Sequence, residues 1–385
     1  MPEKNYRVML SAGEASGDRH GALFYLTLKR QLKGVSGFGM GGEEMQAAGV
    51  ELLIDANGLS VIGVTDVFKR YRQIRKALRK MQAEILSRRP DLLICIDYKE
   101  FNLRLARFAK RAGVKVLFYV GPQVWAWRPG RLKDYAQAVD HMAVIFPFEL
   151  PYYEKVKLPA TYVGHPLVQQ VQPSWTREKV CQFFELDPGR PIIALLPGSR
   201  EDEVKRLLPV MAHAWELLSA SDPKVQGLIS LAPSISDALI SQVWSKPLSL
   251  KIIRQHAYEV LQYCDAAVVC SGTATLELAL LQVPMVIVYR LSPLTYRIGK
   301  WLVKTPYIGL PNILADREIC REFIQDQVSP TKIEEELKRI LANPEYANSQ
   351  RSQLAGVKKQ LGNQRAAENL ARLAANLLHQ GGQLE

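Results

Sequence analysis

Four short segments carry polar residues where apolar runs end, and each offers a distinct chemistry. RVMLS runs directly into AGEASGD, so Glu14 and Asp18 sit in a glycine-bearing loop where a strand should turn into a helix. The spacing is not GxGxxG, and two acids there would repel a dinucleotide pyrophosphate. A carboxylate in such a loop suits sugar hydroxyls instead. Asp97 closes the run DLLICID. At the carboxyl end of a strand it can serve as a general base when nearby cations or hydrogen bonds leave it ionised, the plain alternative being a turn aspartate.

The other two segments look built for phosphate. In LLPGSRxxEV, Gly198 allows close approach, Ser199 donates from backbone and hydroxyl, and Arg200 supplies a planar fork. VVCSGTATLELAL repeats the design, with Ser271, Gly272 and Thr273 at a helix amino end whose partial positive charge favours phosphate. Glu277 follows about one turn in, where a carboxylate can accept both ribose hydroxyls and the helix dipole keeps it ionised. Two cradles and a ribose acid together predict a nucleoside diphosphate group. Either cradle alone would read as an ordinary capped helix.

The elements that position these residues follow from hydrophobic patterning. Continuous apolar runs recur at 7–11, 91–97, 114–120, 141–146, 192–197, 227–232, 250–253, 266–270 and 284–289, separated by charged segments of helical length. Runs without strict alternation are those of strands buried on both faces, and the βαβ order predicts parallel sheets covered by helices. The expected class is α/β, with two doubly wound, Rossmann-like domains facing a central cleft. A proline-bearing connector near 171–185 divides the 385 residues into domains 1–170 and 171–350. A helical segment at 351–385 is expected to pack back on a first domain, its own or a partner's; exchange between copies would give a homodimer.

Composition sets the partners. With 48% hydrophobic and 23% charged residues the chain reads as globular, and no apolar run reaches the roughly 18 residues that span a bilayer. The start MPEKNYRVML lacks a signal-peptide pattern, so a cytoplasmic protein is expected. Five scattered cysteines predict neither disulfides nor a zinc site, and the chain contains no Asp-x-Asp pair to suggest a metal. The net charge of +12 points to anionic partners. Around VFKRYRQIRKALRKM, the residues Phe68, Lys69, Arg70, Arg72, Ile74, Arg75, Leu78 and Arg79 set an apolar stripe beside a basic face, the pattern of a helix at an anionic membrane surface. A surface helix docked on its own core is the competing reading. No nucleic-acid motif is present, so nucleic acid is not an expected partner.

GEASGD, SVIG, YVGPQVWAWR, FPFE, GHPL, LPGSRxxEV, SGTATLE, PMVIVYR and LPNILA occur in this order over nearly the whole chain. This series resembles the lipid-A-disaccharide synthase family of GT-B glycosyltransferases. The resemblance implies an inverting transferase of Gram-negative lipid A biosynthesis, peripheral on the cytoplasmic side of the inner membrane and using no cofactor. Its substrates would be UDP-2,3-diacylglucosamine and 2,3-diacylglucosamine 1-phosphate (lipid X), and its products a β-1,6-linked disaccharide and UDP. Asp97 matches the family's catalytic aspartate, and Asn312 a position the family uses in its cleft, on the acceptor and sugar side. Trp127 and Arg128, in a loop behind a strand, suit acyl-chain or sugar contact, a plain core aromatic being the alternative for Trp127. Glu14 and Asp18 then become sugar-side residues. Lys99 and Glu100 depart from the Pro–Asp of the pattern, and Gly121 from its serine. A UDP-sugar epimerase of the same fold and a non-catalytic basic membrane-surface binder are the rival readings.

Overall fold

The computed structural model describes residues 5–56, 67–122, 129–246, 249–292, 296 and 305–381. The chain divides into two units, Met1–Pro166 with Asn363–Glu385, and Leu167–Gly362. In the first, seven strands, β1 (Tyr6–Ala12), β2 (Val35–Gly41), β3 (Glu51–Asp55), β4 (Leu92–Ile96), β5 (Lys115–Tyr119), β6 (His141–Val144) and β7 (Ala160–Tyr162), form one sheet in the order β3-β2-β1-β4-β5-β6-β7. In the second, β8 (Ile192–Leu196), β9 (Gln226–Ser230), β10 (Lys251–Ile253), β11 (Ala266–Cys270), β12 (Met285–Tyr289) and β13 (Glu322–Ile324) form another in the order β10-β9-β8-β11-β12-β13. Every neighbouring pair is parallel.

The nine apolar runs all form strands, and the central ones, such as LLICI of β4 and AAVVC of β11, are buried along their whole length. Chain order reverses between β1 and β4 in one sheet and between β8 and β11 in the other. Connections leave those pairs in opposite directions, so the carboxyl ends part and a crevice opens where ligands bind in such sheets. AGEASGD follows β1, Asp97 follows β4, LPGSR follows β8 and SGTATLE follows β11. All four segments therefore stand at the two switch points.

Strand β2 escapes a hydrophobicity reading because its sequence is VSGFGMG. Gly39, at φ +152°, lies so close to β1 that a Cβ there would stand 1.9 Å from the Leu10 carbonyl oxygen. Gly39, one of the glycines that hide the strand, is what lets it pair.

Helices α1 (Ala15–Gln31), α2 (Glu43–Ala47), α3 (Val67–Arg88) and α4 (Lys99–Arg111) connect the strands of the first unit. In α3 the stripe expected to face lipid turns inward: Ala77, Met81 and Ile85 are buried, and Ile74 and Leu78 are half-buried against the same core. Those apolar groups stabilise the first unit and are not available for insertion into a bilayer. Arg72, Arg75 and Arg79 stay exposed, while Phe68, Lys69 and Arg70 fall in the first turn, where the backbone alone is described. None of the described helices is long and apolar enough to cross a membrane. The five cysteines are free and buried.

The last helix, Ala366–Gly381, buries Leu370, Ala371, Ala374 and Leu378 in the core that holds Phe24, Tyr25 and Leu28 of α1. Asn369 Nδ2 donates to the Val163 carbonyl at 3.1 Å. The expected boundary at 351 moves to 363, because the helix Pro344–Leu361 belongs to the second unit, where Gln350 Oε1 accepts from Met285 N.

Since Met81 is fully buried, Met81→Ala should cost about 2–5 kcal/mol, whereas Arg75→Ser should stay within about 0.5 kcal/mol. Urea unfolding of the two variants checks whether the stripe of α3 is core.

Candidate active site

Around the β1/β4 switch point the first unit assembles three of the expected residues and reassigns one of them. Asp97 and Tyr98 both take left-handed backbone geometry, at φ +47° and +44°. Each costs about 1–2 kcal/mol relative to ordinary geometry. The Asp97 N–H donates to Tyr119 O at 3.0 Å, which ties the turn to β5. Tyr98 lays its ring over the AGEASGD loop: a Cβ at position 13 would stand 2.3 Å from the ring. Gly13 thus serves the approach of an aromatic ring, not of a phosphate.

Asp97 is half-buried, and burial pushes its carboxyl above the usual carboxylate range. The Lys99 ammonium pulls it back, the Glu14 carboxylate pushes it up again, and the N–H of Tyr98 lowers it. Lys99, one of the departures from the family pattern, therefore favours the ionised form that a base needs. Glu14 is exposed at the N-cap of α1, with no side-chain cap bond.

Asp18 is a different case from Glu14. Its carboxylate is buried and accepts from Gly42 N at 2.7 Å, Glu44 N at 3.0 Å and Met45 N at 3.1 Å. It caps the amino end of α2, satisfying donors a helix start leaves over. The sugar-side role expected for Asp18 is therefore corrected to a structural one, and Glu14 is the acid of that loop left facing solvent.

Two imidazoles lie beneath this surface. The ring of His20 stands edge-on to Tyr119, with centroids 6.0 Å apart, and burial holds its pKa below the ordinary value, with Arg19 lowering it further and Glu44 raising it. His165, in GHPL, is 7% exposed and rests 4.9 Å from the Phe146 ring, which stacks on Phe148. Burial, helped by His20, depresses His165 to about 3, so it is neutral at physiological pH.

In the second unit the two phosphate cradles prove unequal. After Gly198, the N–H groups of Ser199 and Arg200 donate to Glu203 Oε2 at 3.0 and 3.2 Å, and Arg200 Nη1 reaches Glu203 Oε1 at 3.0 Å. The helix that follows, Glu201–Ser221, opens with Glu201, Asp202 and Glu203. Backbone amides expected to face a phosphate are thus already spent on a carboxylate, and the first turn is acidic. What remains for an anion is the Arg200 guanidinium, whose side chain is 79% exposed, and the exposed Ser199.

The helix Thr273–Leu280 keeps its amino end open. Gly272 and Thr273 are exposed, no side chain caps the end, and the first turn carries no acid. Ser271 Oγ donates to the Ile308 carbonyl at 2.8 Å, so this hydroxyl holds the neighbouring segment and has no proton left for a phosphate. Glu277 is half-buried and accepts from Tyr258 Oη at 3.0 Å on one oxygen. Burial raises its pKa, and the Tyr258 hydrogen bond offsets part of that rise. A half-buried acid with one oxygen engaged keeps the other for a hydroxyl donor.

Asn312, expected to touch substrate, is fully buried with its amide saturated. Nδ2 donates to Cys320 O at 2.7 Å and Glu322 Oε1 at 2.8 Å, while Oδ1 accepts from Ile319 N and Cys320 N at 2.8 and 3.0 Å. With four bonds made it has nothing left for a ligand. Its role is corrected to a structural one: with Glu322, which accepts from Ile308 N and Gly309 N, it pins the segment that Ser271 also holds. Trp127 and Arg128 lie outside the described residues. Asn102, Tyr98, Tyr258 and Glu322 were not singled out by sequence reasoning, since each acts through a partner distant along the chain; Glu203 was passed over although its partners, Ser199 and Arg200, lie within the same motif.

His165 gives a test of the core under the site. The folded group stays neutral down to about 3 while the unfolded one takes a proton near 6.5, so stability is present above 6.5 and is lost as pH falls toward 3. Urea unfolding at pH 7 and pH 4.5 should show a larger loss for the wild type than for His165→Gln.

The family profile described as lipid-A-disaccharide synthetase matches residues 8–376. A lipid-A-disaccharide synthase of Geobacter sulfurreducens is 44% identical over 375 residues, covering 97% of this chain and 98% of that protein. One from Coxiella burnetii is 42% identical over 374 residues, covering 97% and 99%. Among solved structures, the calicheamicin glycosyltransferase CalG4 superposes with a TM-score of 0.63 at 14% identity over 99% of each chain. A UDP-GlcNAc 2-epimerase from Neisseria meningitidis does so with a TM-score of 0.58 at 9% identity over 98% of this chain and all of the other. These two share the fold, which is that of GT-B glycosyltransferases, and such a likeness does not separate a transferase from an epimerase. The profile and the relatives do separate them, and by both the chain belongs to the lipid-A-disaccharide synthase family.

Proposed function

We propose that the chain joins the glucosaminyl group of UDP-2,3-diacylglucosamine to the 6-hydroxyl of 2,3-diacylglucosamine 1-phosphate, releasing UDP and leaving a β-1,6-linked disaccharide 1-phosphate. The observation that carries this reading is identity to named synthases along 97% of the chain. In the reaction the acceptor oxygen bonds to the anomeric carbon of the donor as the bond from that carbon to the UDP phosphate oxygen breaks. Asp97 takes the hydroxyl proton, and the departing electron pair becomes negative charge on UDP. The open amino end of Thr273–Leu280 and the Arg200 guanidinium stabilise that charge, and Glu277 accepts from the ribose. Glu14 accepts from hydroxyls on the acceptor sugar.

Supporting contact with an anionic inner-membrane surface are Arg72, Arg75 and Arg79, exposed along α3 beside the exposed Tyr71, while Ile74, Ala77, Leu78, Met81 and Ile85 pack on the core. Docking of this kind is electrostatic, worth about 1 kcal/mol per basic residue, and weakens with salt.

Asp97→Asn should cut disaccharide formation from radiolabelled donor by roughly 10²–10⁴-fold, as expected for loss of a general base. It should also raise the unfolding temperature at pH 7, because an acid whose folded pKa is raised contributes stability at low pH that is lost as pH rises through it. Lys99→Met removes a charge that lowers Asp97, so the acid limb of the rate profile should move to higher pH. Full disaccharide yield from Asp97→Asn would end the assignment.

Replacing Arg72, Arg75 and Arg79 together by glutamate should abolish sedimentation with anionic vesicles at low salt and leave the unfolding midpoint nearly unchanged. Undiminished sedimentation would place the membrane contact elsewhere.

A further inference from the structure

We propose that Asn102 is a positioning residue for this reaction, its buried amide setting where the Asp97 carboxylate stands relative to the AGEASGD loop. The inference rests on reading Asp97 as the base. Asn102, in the first turn of α4, is fully buried, as is Ser11 on β1. Asn102 Nδ2 donates to Asp97 O at 2.8 Å, Ser11 O at 3.1 Å and Ile96 O at 3.3 Å, and Oδ1 accepts from Ser11 Oγ at 2.6 Å. Three of the partners are carbonyl oxygens, so the amide nitrogen must face them, and its orientation follows from chemistry.

The place of these bonds gives them their meaning. Ser11 and Ile96 lie on neighbouring strands, with Ser11 opposite Cys95 and Ala12 opposite Ile96, at the point where the two chains part. Beyond that point no ladder bond is left to fix β1 against β4. One side chain ties both ends together and holds the carbonyl of Asp97 as well. The Asn102 N–H also donates to Tyr98 O at 3.0 Å, so one residue grips both left-handed positions of the turn. A group that only held the sheet together would need no bond to Asp97.

The test uses two variants of the full chain. Asn102→Asp keeps the shape but turns an oxygen toward three carbonyls, restoring a donor only when the new carboxyl is protonated. We expect kcat to fall on the order of 10²-fold, the scale of loss from a small misplacement of a reacting group. KM for the UDP-sugar should be unchanged, and the ratio of variant to wild-type rate should climb as pH is lowered. Ser11→Ala removes the single bond to Oδ1 and decides the matter if Asn102→Asp does not fold; a kcat lowered roughly 5- to 10-fold with the same KM is expected, the size of one neutral hydrogen bond. Wild-type kcat per folded molecule in the variants, with any loss confined to the unfolding temperature, overturns the positioning role. If those variants are unaffected while Asp97→Asn is inactive, this inference falls alone; if Asp97→Asn is active, the reading of the base falls and this inference with it.

Discussion

Parallel strands whose connections leave in opposite directions part at their carboxyl ends, and both units are organised around that one constraint. The central strands β4 and β11 are buried on both faces, so their interiors offer no room for polar groups. Polarity collects where the ladder stops. In the first unit the parting of β1 and β4 exposes carbonyls that the sheet cannot satisfy, and the Asn102 amide meets them. Strain at Asp97 and Tyr98 is sustained because the surroundings hold the turn from three sides: β5 through Tyr119, α4 through Asn102, and the Gly13 loop against the Tyr98 ring.

The two helix starts after β8 and β11 show how similar sequences reach different electrostatics. Both follow a buried strand through a glycine, and both carry small polar residues. After β8, three acids in the first turn neutralise the helix end and Glu203 takes the amides. After β11 the first turn carries no acid, and the end stays open. The first site thus leaves a guanidinium exposed, and the second leaves backbone N–H groups. One is a flexible charge and the other a fixed dipole.

Buried parallel strands were readable because hydrophobicity alone specifies them, whereas β2 was not, its Gly39 being dictated by Leu10 on the next strand and its Gly37 and Gly41 by the Tyr25 and Met45 side chains. The same divide runs through the site. The place of Asp97 at the end of β4 was legible because the apolar run stops there, whereas its pattern fits a base and a turn aspartate alike. Asp18 and Asn312 were misread because each satisfies backbone donors contributed by segments that sequence spacing does not bring near: residues 42–45 for one, 319–320 for the other. The stripe of α3 was correct as a pattern, but periodicity does not say whether a stripe meets lipid or the protein's own core. A motif names a residue type, and the partners of that residue decide what it does.

The last helix completes the core beside α1, although the whole second unit lies between them in the chain. During synthesis the face formed by Phe24, Tyr25 and Leu28 must wait for Leu370, Ala371 and Ala374 to leave the ribosome. At about 5–20 residues per second, the 342 positions from Leu28 to Leu370 are an interval of tens of seconds. Throughout that interval an apolar surface of the growing chain stands uncovered, so the unit that starts first is the one that finishes last, and a truncated product would carry that surface permanently.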